Sequence, residues 1–202
     1  MKPLVIYHAG CVDGFTAAWA VWCALGRPEE DAIEFVPCAY GGRVAGHESL
    51  RDLCAHVADR DVYIVDFSLP RDTLIALPEA ATSLVVDDHH RTAEKDLKGL
   101  DFAVFDQDEC GASLTWRELI GGKPPTLIEY VRDRDLWRWE LPASKAVSAA
   151  IASHDFDLDT WDTLHSDLSA TPFDGVIADG EAILRHQAQA VKRATGKTAR
   201  WT

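Results

Sequence analysis

The sequence predicts an α/β fold: a doubly wound, mainly parallel β-sheet flanked by helices, with a helical C-terminal segment. Two observations lead to it. Short apolar, strand-forming runs alternate with stretches of helical periodicity along residues 4–120, and such alternation favours a parallel sheet covered on both faces. Three of the strand ends then lead into carboxylates or imidazoles, around Asp13, at Asp66 and at Asp87-Asp88-His89-His90. The edge outside the carboxyl ends of the strands is where open α/β sheets place their sites.

Residues 4–7 read as a short buried strand, 8–14 as a loop, and 15–25 as a helix that Gly26 ends. A second strand is expected at 33–37 and a turn at Tyr40-Gly41-Gly42-Arg43. A helix follows over 47–58, where Leu50, Leu53, Cys54 and Val57 recur at helical spacing. Val62-Tyr63-Ile64-Val65 is the clearest strand and closes on Asp66. Ser68 is placed to cap a helix running to about Leu77, with Pro70 in its first turn. Residues 83–86 form the strand that leads into Asp87, another strand is expected at 102–105, and a helix at about 111–120. Beyond Pro124-Pro125 the alternation stops, and helices are predicted over 126–134, 143–153, 158–168 and 175–195. The expected organisation is a core over 1–140 and a helical extension over 141–202 packed on it. Trp137, Trp139 and Trp161 are expected to pack the helical part onto the sheet.

Composition narrows the function classes. The chain has 202 residues, 47% of them hydrophobic, and seven tryptophans, which supply a core and exclude a disordered chain. No apolar run approaches a membrane span, and the opening segment Met1-Lys2-Pro3-Leu4-Val5-Ile6-Tyr7-His8 is too short in apolar residues for a secretory signal. A cytoplasmic location without a membrane partner is therefore expected. Five dispersed cysteines without a Cys-x-x-Cys pair argue against a disulfide framework and a zinc ribbon. A formal charge of −13 with no basic tract repels a long phosphate backbone, so no long nucleic acid is expected as partner. A phosphate substrate would be small and held through metal.

The first strand end offers His8, Cys11 and Asp13, the second Asp66, and the third Asp87, Asp88, His89 and His90. Imidazole and carboxylate together suit manganese, iron, zinc or cobalt. Carboxylates from separate strands can bridge two cations about 3.5–4 Å apart, where one lowers the pKa of a water and the other neutralises phosphate oxygens. Each residue alone has a plainer use. Asp66 suits a cap or turn, His89-His90 a polar surface, and Gly14 a turn. Their joint occurrence at successive strand ends is what points to a metal site.

Val86-Asp87-Asp88-His89-His90 resembles the signature of the DHH phosphoesterase superfamily. Its members are mostly manganese-dependent phosphohydrolases, among them single-strand exonucleases, oligoribonucleases, cyclic-dinucleotide and pAp phosphatases, exopolyphosphatases and family II inorganic pyrophosphatases. Further landmarks occur in the family's order: the segment 8–14, Val65-Asp66, Cys110-Gly111-Ala112-Ser113, and Asp133-Arg134-Asp135-Leu136-Trp137. The resemblance covers residues 4–140 and implies two manganese ions, with magnesium, cobalt or zinc as substitutes. It implies that Asp66 bridges both ions. Asp13, His89 and a carboxylate from Asp133 or Asp135, with Asp133 favoured, would complete one site, and His8 would serve the other. His90 would contact the substrate phosphate, supplying a hydrogen-bond donor if protonated, and Asp88 would orient the histidines. These two form the implied catalytic pair. Ser113, near a helix start, would also meet substrate phosphate, because free backbone N–H groups there favour an anion.

The chain departs from the family pattern twice. The usual first motif is His-x-x-x-Asp-x-Asp, and here it reads His8-Ala9-Gly10-Cys11-Val12-Asp13. Cys11 stands where the first aspartate is expected, and His8 is one residue closer. A thiolate ligand there would shift preference toward zinc, whereas a spectator thiol would leave the first metal weakly held. The glycine-rich, histidine-containing motif of the family's C-terminal domain is also absent from the sequence, which reads as a minimal catalytic domain or a truncated form. The expected activity is metal-dependent hydrolysis of a small phosphodiester or phosphomonoester, with a short nucleotide as the favoured substrate. The alternatives are pyrophosphate or polyphosphate hydrolysis, and a non-hydrolytic metal or nucleotide sensor.

Three weaker patterns complete the reading. Gly196-Lys197-Thr198 lacks the upstream glycines and strand of a P-loop. Asp155, Asp157, Asp159 and Asp162 lack the glycine and glutamate of a calcium loop and read as a solvated helix start. Trp137-Arg138-Trp139 could stack a base, but the large apolar area of tryptophan favours core packing.

Overall fold

The computed structural model describes residues 1–39, 44–47 and 49–196. The chain divides into two compact units, Met1–Pro124 and Pro125–Thr202. The division falls ahead of residue 140, so the segment carrying Asp133 and Asp135 belongs to the second unit. The turn expected at 40–43 and the segment 197–202 lie outside the described residues, as does Glu48 within the expected helix 47–58.

The first unit contains strands β1 (Leu4–His8), β2 (Glu34–Cys38), β3 (Asp61–Val65), β4 (Ser83–Asp88) and β5 (Ala103–Phe105). All pair in parallel, in the order β2-β1-β3-β4-β5. Helices α1 (Val12–Ala24), α2 (Leu50–Val57), α3 (Arg71–Leu74), α4 (Glu94–Leu97) and α5 (Gly111–Leu119) accompany them. Strands buried on both faces need apolar residues at every position rather than at alternate ones, and Leu4-Val5-Ile6 is fully buried throughout. On one face Leu4, Ile6, Val62, Ile64 and Val86 pack with Leu53, Val57, Leu74, Leu77 and Leu97. On the other face α1 and α5 pack against each other and against β1 and β4. With helices on both faces, the sheet is doubly wound as predicted.

Register places the site. Tyr7 stands opposite Val65, and Val65 opposite Asp87. The next residue on each strand path is therefore His8, Asp66 and Asp88, level with one another at the carboxyl edge. The connection from β1 runs to β2 on one side, while β3 lies on the other. The crevice of such a topological switch is the usual ligand position in open α/β sheets.

Element boundaries differ from expectation where local contacts override propensity. Helix α1 begins at Val12, so Asp13 and Gly14 lie in its first turn rather than in a loop. Gly14 serves a close approach: a Cβ there would overlap the carbonyl oxygen of His8. Helix α2 starts at Leu50, capped by the Ser49 hydroxyl, which accepts from the Asp52 amide at 3.2 Å. The helix expected up to Leu77 is only the four residues of α3, with Pro70 rather than Ser68 at its N-cap, followed by a 3-10 turn at Leu77–Glu79. Pro78 supplies the reason, because it has no N–H to bond the Leu74 carbonyl and continue the α-helical ladder.

The second unit contains α6 (Thr126–Asp135), α7 (Ser144–Ile151), α8 (Leu158–Ser169) and α9 (Asp174–Thr195). The acidic run opens α8 as expected, with the Asp157 carboxylate accepting from the Thr160 amide at 2.8 Å. Trp161 is fully buried, but Trp137 is 75% exposed, which corrects the expectation that it packs a core. Among the described residues, no helix is long and apolar enough to cross a membrane.

Helices α7 and α9 meet at Gly180, where a Cβ would overlap the backbone carbonyl of Ala146. Backbone cannot yield as a flexible side chain can, so Gly180→Ala is expected to lower unfolding free energy by about 3 kcal/mol. Denaturant unfolding monitored by circular dichroism checks this, and an unchanged midpoint would contradict the packing described.

Candidate metal centre

Asp66 follows β3 directly and lies in the left-handed region, with φ of 52°. That conformation costs most side chains about 1–2 kcal/mol, and aspartate is among the few that adopt it. Its amide donates to the Asp87 carbonyl at 2.9 Å, so the chain leaves the sheet only after one more ladder-like bond. The sharp turn leaves the Asp66 carboxylate in the crevice, with 1% of the side chain exposed.

Three imidazoles surround that carboxylate. His8 Nδ1 lies 3.4 Å from Asp66 Oδ2, His89 Nε2 lies 3.1 Å from Oδ1, and His90 Nδ1 lies 3.9 Å from Oδ1. Burial works to raise the Asp66 pKa, but His8 and His89 beside it outweigh this and hold the carboxyl below its ordinary range. The His8 imidazole is pushed up to about 10, first by the Asp66 carboxylate and then by the Cys11 side chain. Ligand atoms of His8, Asp66 and His90 lie within 4.8 Å of one another, a group able to hold a metal ion. Both Asp66 oxygens are buried and face imidazole nitrogens rather than backbone amides or hydroxyls, which fits a carboxylate built to face cations. His89 Nε2 is also 3.6 Å from Asp13 Oδ2, so a second donor set, Asp13, His89 and Asp66, shares the same central carboxylate.

The remaining contacts show what holds these donors. Asp13 accepts from the amides of Gly111 at 2.6 Å and Ala112 at 2.9 Å. The first-turn N–H groups of α5 thus hold the protein's own carboxylate, an anion where the helix dipole favours one. The Ser113 hydroxyl, expected to meet substrate phosphate, donates to Glu109 Oε2 at 2.6 Å and accepts from the Cys110 amide at 3.1 Å. It closes a capping box on its own helix. Sequence reasoning overlooked Gly111 as a spacer: a Cβ there would overlap the Asp66 side chain. Its place in Cys110-Gly111-Ala112-Ser113 was the available signal, and only the packing of α5 on the end of β3 gives it a meaning.

Asp88 and Asp87 face opposite ways, as successive strand residues do. Asp88 is fully buried, and its Oδ1 sits 2.7 Å from His90 Nδ1 and accepts the His90 amide at 3.0 Å. One carboxylate oxygen thereby fixes both the ring and the backbone of His90. Asp87 is fully buried with neither oxygen hydrogen-bonded. Burial, with Glu118 adding to it, pushes its carboxyl up to about 7.

Cys11 is half-buried at the N-cap of α1 and adjoins His8. In the second unit, the Asp133 carboxylate accepts from the amides of Glu140 at 2.9 Å and Leu141 at 3.4 Å, and from the Ser144 hydroxyl. It ties the end of α6 to the start of α7. Asp135 is exposed on the last turn of α6.

No family model matches the chain. An uncharacterized protein of Acanthamoeba polyphaga mimivirus is 28% identical over 167 residues, which cover 79% of this chain and 39% of that protein. The chain therefore spans about two fifths of the length of the curated relative it matches. Among solved structures, an uncharacterized protein from Helicobacter pylori G27 has the same fold, with a TM-score of 0.63 at 14% identity over 95% of this chain and 63% of that one. RecJ of Thermus thermophilus, solved in complex with Mn2+, aligns with a TM-score of 0.46 at 14% identity, over 96% of this chain and 36% of that one.

Two pH responses follow for the metal-free protein. His8 titrates higher when folded than its unfolded value of about 6.5. Its contribution to stability is complete below about pH 6.5 and is lost as pH rises through about 10. Urea midpoints from pH 6 to 10 should fall with a slope that His8→Ala reduces. Asp87 has the same direction from a different cause, since a carboxyl held near 7 by burial favours the fold when protonated and burdens it above. Asp87→Asn is expected to raise the midpoint at pH 8 relative to wild type and to lose that advantage near pH 4.

Proposed function

We propose that the chain carries a divalent-metal-dependent phosphoesterase centre of the DHH type, acting on a small phosphodiester or phosphomonoester such as a short nucleotide. The observation that carries this reading is Asp66, a nearly fully buried carboxylate whose oxygens face imidazole nitrogens, set among His8, His89 and Asp13 with His90 beside it, at the switch point of a parallel sheet. That donor set fits two cations sharing one carboxylate, and manganese suits its mixture of imidazole and oxygen.

Bound there, divalent cations would lower the pKa of a water nucleophile and neutralise phosphate charge. The chain's own residues supply the rest. Asp13, held by two α5 amides, and Asp66, held by its turn, are fixed before any ligand arrives, so little reorganisation is needed. Asp88 fixes the orientation of His90, whose other ring nitrogen would donate to a phosphate oxygen when the imidazole is protonated. Cys11 beside His8 gives one donor set a softer neighbour than the family's aspartate, which favours zinc or cobalt there over magnesium.

The test is metal content together with turnover, using manganese and a panel of pAp, a dinucleotide, bis-p-nitrophenyl phosphate and pyrophosphate. Two metals per chain are expected, with turnover on a nucleotide substrate that Asp66→Ala abolishes and Asp88→Ala lowers by about 10–100-fold. One metal without turnover would favour a sensor instead, and turnover confined to pyrophosphate would favour the pyrophosphatase reading. The role of the acidic segment on α6 is separable. If Asp133 serves only as the tie within its unit, Asp133→Ala lowers stability and leaves metal content unchanged. If Asp135 ligates, Asp135→Ala lowers metal content and leaves stability unchanged.

A further inference from the structure

The second unit contains a cavity of about 430 Å3 between α7, α9 and the segment after α6. Small-molecule sites span about 300–1,000 Å3. Trp137 and Trp139 stand on its rim with ring centroids 5.2 Å apart and planes 76° apart. Both have positive φ, 57° each, a genuine outlier for bulky side chains. Trp137 leaves 75% of its surface exposed. Ile183 and Leu184 of α9 supply an apolar wall.

Its charge makes this more than an apolar hollow. Among the described residues that line the cavity, Arg134 and Lys145 are cationic and none is acidic, in a chain of formal charge −13. Lys145 Nζ lies 5.7 Å from the Trp139 ring centroid, so positive charge sits beside the aromatic surface.

The geometry points to a nucleotide-binding site in this cavity: a planar heterocycle stacked on Trp137, with its phosphate near Arg134 and Lys145. An exposed tryptophan face accepts any flat base, and the cations select for phosphate. The site stands on the second unit's own residues and does not depend on the metal centre's activity.

Tryptophan fluorescence and calorimetric titration of the full chain in EDTA, with AMP, adenosine and ribose 5-phosphate, test it. Saturable quenching by AMP is expected, with adenosine about threefold weaker through loss of an exposed ion pair and ribose 5-phosphate about tenfold weaker through loss of stacking. Trp137→Ala should weaken AMP about tenfold, and Lys145→Ala should narrow the difference between AMP and adenosine. Both side chains are exposed, so thermal midpoints should be unchanged. Absence of saturable binding, AMP affinity unchanged in Trp137→Ala, or equal affinity for AMP and adenosine in the wild type would each overturn the proposal. Because no metal is present, failure here leaves the phosphoesterase reading as it was.

Discussion

A single buried carboxylate sets the terms for the first unit. Asp66 takes a left-handed backbone at the end of β3, and that turn brings its side chain into the crevice between β1 and β3. A buried charge without partners is strongly unfavourable. Here the compensation comes from His8, His89 and His90, each from a strand end that the parallel register has already made level. The sheet order, the register and the imidazoles are thus parts of one electrostatic arrangement, in which a cation can take the place of the protons.

The helices of one face complete that arrangement by coming close. Gly14 lets α1 start against His8, and Gly111 lets α5 start against Asp66. The second approach aims two free amides at Asp13, so the helix dipole holds a carboxylate of the chain itself. The expectation that this helix start would take substrate phosphate overlooked that competitor. A carboxylate ninety-eight residues earlier in the chain satisfies the same donors, and nothing local to Ser113 announces it.

The second unit shows a different use of similar residues. Asp133, in a segment that resembles a metal-binding motif, accepts three hydrogen bonds that join α6 to α7. Trp137 and Trp139, expected to fill a core, instead edge a cavity, while Trp161 is fully buried. Tryptophan carries the same apolar area in all three positions. The left-handed backbone at 137 and 139 turns the first of them outward, and only the structure reveals that.

Some of this was settled by the amino-acid order alone. Unbroken apolar runs such as Leu4-Val5-Ile6, alternating with helical periodicity, favour a parallel sheet covered on both faces, because that arrangement buries every residue of such strands. The candidate residues His8, Asp66, His89 and His90 were legible too, since each ends or follows a strand-forming run, and Asp13 opens the helix after the first of them. What the tertiary structure decided was which donors meet and which are already engaged. Asp87 and Asp88 are adjacent and chemically identical, yet strand alternation sends one into an unbonded burial against α5 and the other to His90. Hydrogen-bond saturation is a property of neighbours brought together across the fold, and residue order does not contain it.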